Sequence, residues 1–344
     1  MKIIHRVLQR PEFEKEPPVL VDVGASGGLH AAWKPLAKYS LCIAFDPDDR
    51  EMRIDTSTNG DYRKLYVYNR VLTAGPESAA DFYLTKAPAC SSVLPPRPEK
   101  LASWEFAERF EVLQTVRVET IHLQTVLREL QLNRIDWFKT DSQGTDVRLF
   151  ESLGEPLVRR VLIAEFEPGI LESYQGDDKL WQVMAAMDRL NFWMCDMEIK
   201  GSQRIRKSLM RDFWPVETKY MVHLLKTAPG WAEVAYINAF REDDFSLRDW
   251  LLGWVCATLK GEHGFAMELA TTAQSLFNDP MCEDLRQHSI GSIRSGYFNL
   301  FAYSPLIVRV LRKWKKQMRH RKRSLPFTSV PAGQGQMPGG SVRD

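Results

Sequence analysis

No two of the five cysteines, Cys42, Cys90, Cys195, Cys256 and Cys282, form a C-x-x-C pair. Their wide spacing argues against a disulfide framework and a structural zinc site, and fits a reducing compartment. Long hydrophobic runs are also missing: the longest, Leu251 to Leu259, is about half of what a membrane-spanning helix needs. The N-terminal stretch MKIIHRVLQRPEF has no uninterrupted apolar core, so no secretory signal is expected. No internal repeat is visible. What is present is ordinary for a folded chain. At 344 residues, 44% hydrophobic and 26% charged, disorder and collagen-like structure are excluded. A chain of this length buries a large core without covalent staples and divides into about two domains. The expectation is a soluble, cytoplasmic, multi-layer protein.

The net charge of +2 is unevenly spread. From Phe301 onward the chain holds ten Lys or Arg and one acid, a balance of +9. The preceding 300 residues hold 36 basic and 43 acidic groups, a balance of −7. Most of the excess lies in RVLRKWKKQMRHRKR, Arg309 to Arg323. A mildly acidic body with one cationic appendage does not indicate a body-wide nucleic-acid surface.

Strand and helix signals alternate along the chain. Val19–Val23 and Leu41–Phe45 are short apolar runs ending in glycines or Asp-Pro, the pattern of buried strands. Leu65 to Leu72, Val116 to Ile121, Ile135 to Phe138, Val161 to Phe166, Phe192 to Ile199 and Trp231 to Phe240 continue the strand series. His30 to Tyr39, Leu123 to Leu132 and Leu180 to Leu190 have helical character. Ala87 to Lys100 carries four prolines and reads as a loop or lid. Strands separated by helices imply parallel βαβ units. Three helical stretches follow Phe245, which places a boundary near Arg241 to Asp244. The expected division is 1–243, a helical region 244–323, and a disordered Pro/Gly/Ser-rich tail 324–344.

Two constellations carry chemistry. The first is Val21-Asp22-Val23-Gly24-Ala25-Ser26-Gly27-Gly28. A strand running into a glycine-rich turn lets backbone approach a ligand where a Cβ would collide. The spacing G-x-x-G-G is not the G-x-G-x-x-G of pyrophosphate binders, and no Gly-Lys-Ser/Thr follows as in a P-loop. Asp46 ends the next strand, where an acid accepts hydrogen bonds from ribose hydroxyls. Together these fit an adenosine-containing ligand without a pyrophosphate, a description S-adenosylmethionine meets. The alternative is an ordinary glycine turn. The second constellation is Ile135-Asp136-Trp137-Phe138-Lys139-Thr140-Asp141-Ser142-Gln143-Gly144-Thr145-Asp146. Asp141 stands at a strand tip and Lys139 two residues earlier, so alternation sets both on one face, where they can pair. A buried structural ion pair is the alternative. Glu165 and Glu167 end the next strand, again on one face, and one of them could face the same cleft.

Taken together, VDVGASGG, AFDPDD, CSSVLPP and RIDWFKTDSQGTDVRLFESLG resemble the FkbM family of S-adenosylmethionine-dependent methyltransferases, over roughly Pro17 to Glu198. The resemblance implies the α/β class I methyltransferase fold, Rossmann-like, with a seven-stranded, mostly parallel sheet and one antiparallel strand. Here a helical C-terminal extension would follow. It also implies methyl transfer to a hydroxyl, often of a sugar or polyketide. By the motif, Asp22, Gly24, Ala25, Ser26, Gly27, Gly28 and Asp46 fall to the cofactor, with Ser26 where the family often has Asn. Lys139 and Asp141 fall to catalysis and Ser91 and Ser92 to the acceptor, to which the strand-end position of Glu165 adds a further candidate. Gln143 and Gln124 stand where the family carries acids, and Gln143 weakens any case for a second carboxylate or a metal there. No metal is expected. Asp141 is the expected base and Lys139 its orienting partner; His30 is an alternative base, with a histidine on a helix surface as the ordinary reading of that position.

In the C-terminal region Leu306, Ile307, Val310, Leu311, Trp314 and Met318 fall on one helical face, with Arg309, Arg312, Lys313, Lys315, Lys316 and Arg319 on the others. A basic amphipathic helix with a Trp suits an anionic membrane surface on the inner face of the membrane, near a lipid-linked glycan; a packing helix with a solvated charged face is the alternative. Sparse aromatics there speak against nucleic acid. Two other classes stay open: a catalytically silent scaffold, and a nucleotide-dependent oxidoreductase on a Rossmann scaffold.

Overall fold

A computed structural model describes residues 2–25, 30–47, 61–212, 225–241 and 244–302. The chain divides into two units, residues 1–290 and 291–344. The second unit is described only through residue 302, as the last turns of the helix Pro280–Ala302. The run Arg309–Arg323 and the stretch 324–344 lie outside the described residues, as do Ser26, Gly27 and Gly28.

The first unit is built on a seven-stranded sheet. Its strands are β1 (Val19–Val23), β2 (Leu41–Phe45), β3 (Lys64–Tyr68), β7 (Trp137–Thr140), β8 (Ile163–Phe166), β9 (Phe192–Ser202) and β10 (Ala228–Asn238), ordered β3-β2-β1-β7-β8-β10-β9. β10 runs antiparallel to both β8 and β9, and the remaining pairs are parallel. This is the mostly parallel α/β sheet that the sequence leads one to expect, with the helical C-terminal part also present. A second, three-stranded sheet orders β4 (Val71–Thr73), β6 (Val112–His122) and β5 (Ala79–Thr85) as β4-β6-β5.

Strand alternation feeds two cores, one on each face of the large sheet. Val19, Val21 and Val23 of β1 join Phe138, Phe150 and Met187 on one face. Leu20 joins Trp33, Trp137, Ile163 and Trp254 on the other. Helices Leu123–Glu129, Asp146–Glu151 and Leu180–Arg189 contribute to the first core. The second core takes residues from the helices Lys2–Leu8, Leu247–Leu259 and His263–Phe277, so the helices after residue 246 share the core of the sheet. The helix Leu247–Leu259 is anchored by Arg248, which is buried and donates to both oxygens of Asp136 at 2.5 and 2.7 Å.

Three expectations are corrected. The stretch His30 to Tyr39 is not one helix but two 3₁₀ turns, Ala31–Trp33 and Ala37–Tyr39, with Pro35 between them. Proline lacks the N–H that a continuous helix would use. Leu65 to Leu72 is not one strand: it breaks after Tyr68, and the two halves join different sheets. The stretch Ala87 to Lys100 is not all loop, since it contains the turn Pro88–Cys90 and the short helix Pro98–Leu101. Each of the two carries a proline in its first turn, where the missing N–H costs nothing.

Candidate functional site

The parallel strands β2, β1, β7 and β8 all end on the same edge of the sheet. Their tips bring Asp46, Gly24, Asp141 and Glu167 together across four neighbouring strands. Strand order reverses between β1 and β7, and ligands of open α/β sheets bind outside the strand ends at such a point.

Gly24 makes this closeness possible. Its φ is +76°, and a Cβ there would stand 2.2 Å from the backbone oxygen of Asp141. Its N–H donates to Phe45 O at 2.9 Å, while Asp141 N–H donates to Val23 O at 2.9 Å. The tips of β2, β1 and β7 are thereby laced together. Ala25 is buried beside them, its N–H on Phe45 O at 3.2 Å.

Two cavities open on this edge. The first, about 680 Å³, is lined by Gly24, Asp46, Arg70, Phe82, Ser91 and Asp141, among others. The second, about 760 Å³, is lined by Phe106, Phe110, Tyr174, Trp231, Glu167 and Asp177, among others. Ala89, Asp141 and Gln143 line both, so Asp141 stands on the wall between them.

The loop after β7 is held by a buried carboxylate that carries no role in the sequence reading. Asp146 Oδ1 accepts from Ser142 Oγ at 2.6 Å, Ser142 N at 2.9 Å and Thr140 Oγ1 at 3.0 Å. Its Oδ2 accepts from Glu167 N at 3.2 Å, which ties the tip of β8 to the same loop. Burial pushes the Asp146 carboxyl up to about 6 despite these donors. Asp141 in turn accepts from Gln143 Nε2 at 2.5 Å. The Gln143 Oε1 lies 2.9 Å from the Tyr174 hydroxyl, which donates to it or to Cys90 O at the same distance. An amide serves here where a second acid would repel. Gln124 is explained in the same way: its Nε2 donates to Ser152 O and Leu153 O at 3.0 and 2.8 Å, which a carboxylate cannot do.

Glu167 hydrogen-bonds to Asp141, and burial together with the Asp141 charge pushes its carboxyl up to about 9. The neutral, protonated form of Glu167 is thereby favoured next to the wall between the cavities.

Lys139 does not join this group. Its Nζ lies 3.1 Å from Asp22 Oδ1, its cross-strand partner in the β1–β7 register. The strand ends at Thr140, so the alternation that would align Lys139 with Asp141 stops one residue too early. Burial works against the Lys139 charge, but the carboxylates of Asp22 and Asp141 outweigh it and hold it above its ordinary value. Burial also raises the Asp22 carboxyl, with Lys139 opposing. Glu165 also points elsewhere. Its Oε1 accepts from Lys260 Nζ at 2.9 Å, and its Oε2 lies 2.9 Å from His30 Nε2. Burial alone would raise Glu165; the bond to His30 and the Lys260 charge override it and pull it down to about 2. His30 is thus no free helix-surface group. Of the two glutamates it is Glu167 that faces the Asp141 cleft.

The serine pair belongs to the loop. Ser91 Oγ accepts from Thr85 N at 3.1 Å and lines the first cavity. Ser92 Oγ donates to Gln143 O at 2.8 Å and accepts from Leu94 N at 3.0 Å, so it fastens the proline-rich segment to the Asp141 loop. No group of three or more His, Cys, Asp or Glu suited to a metal ion occurs among the described residues. None of the helices among the described residues is long and apolar enough to cross a membrane.

Neither the curated proteins nor the solved structures contain a match to this chain. The family model described as the methyltransferase FkbM domain matches residues 22–198, just over half of the chain.

Proposed function

The chain belongs to the FkbM methyltransferase family, and from that membership we infer that it is an S-adenosylmethionine-dependent O-methyltransferase acting on a hydroxyl of a sugar or glycan. The observation that carries this reading is the position of Asp141 on the wall between two cavities, with Gly24 and Asp46 lining the first of them.

The first cavity fits the cofactor. Gly24 lines it without a Cβ, which would strike the Asp141 backbone oxygen, and a buried carboxylate, Asp46, follows β2 where a ribose is held in Rossmann-like sheets. Gly24 and its neighbours would hold the amino-acid end and Asp46 the ribose. The bound cofactor supplies an electrophilic methyl group on a sulfonium. This chain's residues do the rest: they align the acceptor oxygen, exclude water and remove a proton. Asp141 accepts the hydroxyl proton, while Gln143 fixes its carboxylate through the 2.5 Å bond. Lys139, committed to Asp22, secures β1 against β7 and acts on Asp141 only through its charge. The second cavity receives the acceptor, with Trp231, Phe106 and Tyr174 as apolar walls for a sugar ring. Ser91, on the first cavity, and Ser92, behind Gln143, shape the passage between the two.

Titration calorimetry tests this reading. S-adenosylmethionine should bind and NAD should not, and Asp46→Ala should weaken the cofactor about tenfold to a hundredfold by removing a charged acceptor. Wild-type chain that binds NAD in preference would replace the reading by an oxidoreductase; chain that binds neither would favour a scaffold.

We assign catalysis to residues 1–243 and attachment to the basic run within the helical region that follows. The basic run Arg309–Arg323 would bring the enzyme to the cytoplasmic face of an anionic membrane, at about 1 kcal/mol for each basic group near the surface. Full chain should co-sediment with vesicles containing anionic lipid, and chain without its last 40 residues should stay in solution. Equal sedimentation of both removes the membrane assignment.

A further inference from the structure

Glu167 has a cavity on either side of it. On one side it lines the second cavity together with Asp141 and Gln143. On the other it lines a third, about 700 Å³, together with Lys139, Glu198 and Glu233.

Sheet register extends this position into a row. The β8–β10 ladder pairs Phe166 with Val234, and Ala232 N–H donates to Pro168 O at 3.1 Å. The same register sets Glu233 opposite Glu167. In the β9–β10 ladder Glu233 stands opposite Glu198. Residues opposed in this way on one face have Cβ atoms about 4.5–5.5 Å apart. Three carboxyl groups therefore cross β8, β10 and β9 in line, beginning at the Asp141 contact. Glu167 is half-buried, whereas the side chains of Glu233 and Glu198 are 51% and 65% exposed. Lys200 lies 2.8 Å from Glu198 and 3.3 Å from Glu233, which holds the outer pair side by side.

We propose that Glu167 is a proton outlet: it takes over the proton that Asp141 removes from the acceptor hydroxyl and passes it through the third cavity, by way of Glu233 and Glu198, to water. This rests on the methyl-transfer reading. The steps balance. The O–H bond breaks, its electron pair stays on the oxygen for the new bond to the methyl carbon, and the proton goes to Asp141. Glu167 gives its own proton to the third cavity and receives the one on Asp141. Each turnover releases one proton, and both carboxyl groups return to their starting state.

An outlet on this side is needed because an acceptor seated in the second cavity covers Asp141 from that direction. Glu167 is charged with a proton beforehand, since burial and the neighbouring Asp141 push it up to about 9. Asp146 and Glu233 act in the same direction. Lys139 lines the third cavity but is committed to Asp22. Glu167 is on this account a positioning and relay residue, with Asp141 as the group that touches the substrate.

Infrared difference spectroscopy on the full chain reads the shared proton directly. A protonated carboxyl band at pH 7 is expected in the wild type, titrating away near pH 9 and absent from Glu167→Gln. In Glu233→Gln the same titration should move lower, because a like charge has gone. A wild type without that band overturns the proposal whatever its activity. With glycerol as the hydroxyl probe, release of S-adenosylhomocysteine by Glu167→Gln should fall about tenfold or more and lose its pH dependence near 9. Calorimetric affinity for S-adenosylmethionine should not change. Intact binding with turnover equal to wild type overturns the outlet alone. Wild-type chain that binds no S-adenosylmethionine overturns the methyltransferase reading instead, and the outlet with it.

Discussion

Replacing Asp141 by Asn should lower turnover by about a hundredfold to ten-thousandfold, the usual range for a lost general base. Affinity for S-adenosylmethionine should stay within about twofold, because the amide keeps the shape of the cavity wall and the ribose is held by another residue. The geometry makes this substitution sharper than most. Gln143 donates to Asp141 Oδ1 at 2.5 Å, and Glu167 bonds to the same carboxylate. Asn can still accept one of these bonds, so the loop keeps its course, with Asp146 as its main fastening. What disappears is the only function an amide cannot supply, taking a proton from a hydroxyl. Steady-state release of S-adenosylhomocysteine, measured beside calorimetric binding, separates the two effects. Undiminished turnover in Asp141→Asn would remove Asp141 as the base.

The largest loss of stability should follow Arg248→Ala. Arg248 and Asp136 are both buried, with side chains 3% and 4% exposed. Besides its two bonds to Asp136, the guanidinium donates to Glu16 O at 3.1 Å and Pro17 O at 3.2 Å. Asp136 Oδ2 also accepts from Val19 N at 2.8 Å, at the start of β1. One guanidinium thus joins the helix Leu247–Leu259, the strand β1 and the segment leading into β7. Removing it leaves a carboxylate in the interior with its main partner gone, at a cost of about 3–5 kcal/mol. The midpoint of urea unfolding reports the change, provided the slope is unaltered. A loss below about 1 kcal/mol would mean that the pair behaves like an exposed one.

The sequence discloses some elements to the residue and hides others, for physical reasons. β1 and β2 are buried on both faces, so each is a short and mostly apolar run with a glycine or Asp-Pro stop, and both are found at the predicted bounds. The pair β9 and β10 is also foreseen as strands, although each extends further than its apolar stretch, since much of β9 is only half-buried or exposed. β5 is missed because Ala79–Thr85 mixes small, acidic and aromatic residues with little regular burial. The helices Lys2–Leu8 and Pro11–Lys15 are too short for their period to stand out, yet Ile4, Val7, Leu8 and Phe13 are buried in the second core.

The site divides along the same line. The glycine turn, Asp46 and Asp141 are local features of strand ends, and a sequence displays them. The partner of Lys139 is not local: it is Asp22, more than a hundred residues away and adjacent only through the β1–β7 register. Glu165 and Glu167 share a parity, and only His30 and Lys260 on one side and Asp141 on the other divide their roles. The walls of the second cavity, Phe106, Phe110, Tyr174 and Trp231, come from three separate segments of the chain with no common pattern.

A crystal structure of the full chain with S-adenosylhomocysteine bears most directly on all of this. The nucleoside should occupy the cavity between the tips of β1 and β2, with both ribose hydroxyls on the Asp46 carboxylate and the sulfur directed toward Asp141. A nucleoside bound elsewhere, or lying in that cavity with its ribose away from Asp46, would show that these strand tips serve a different ligand.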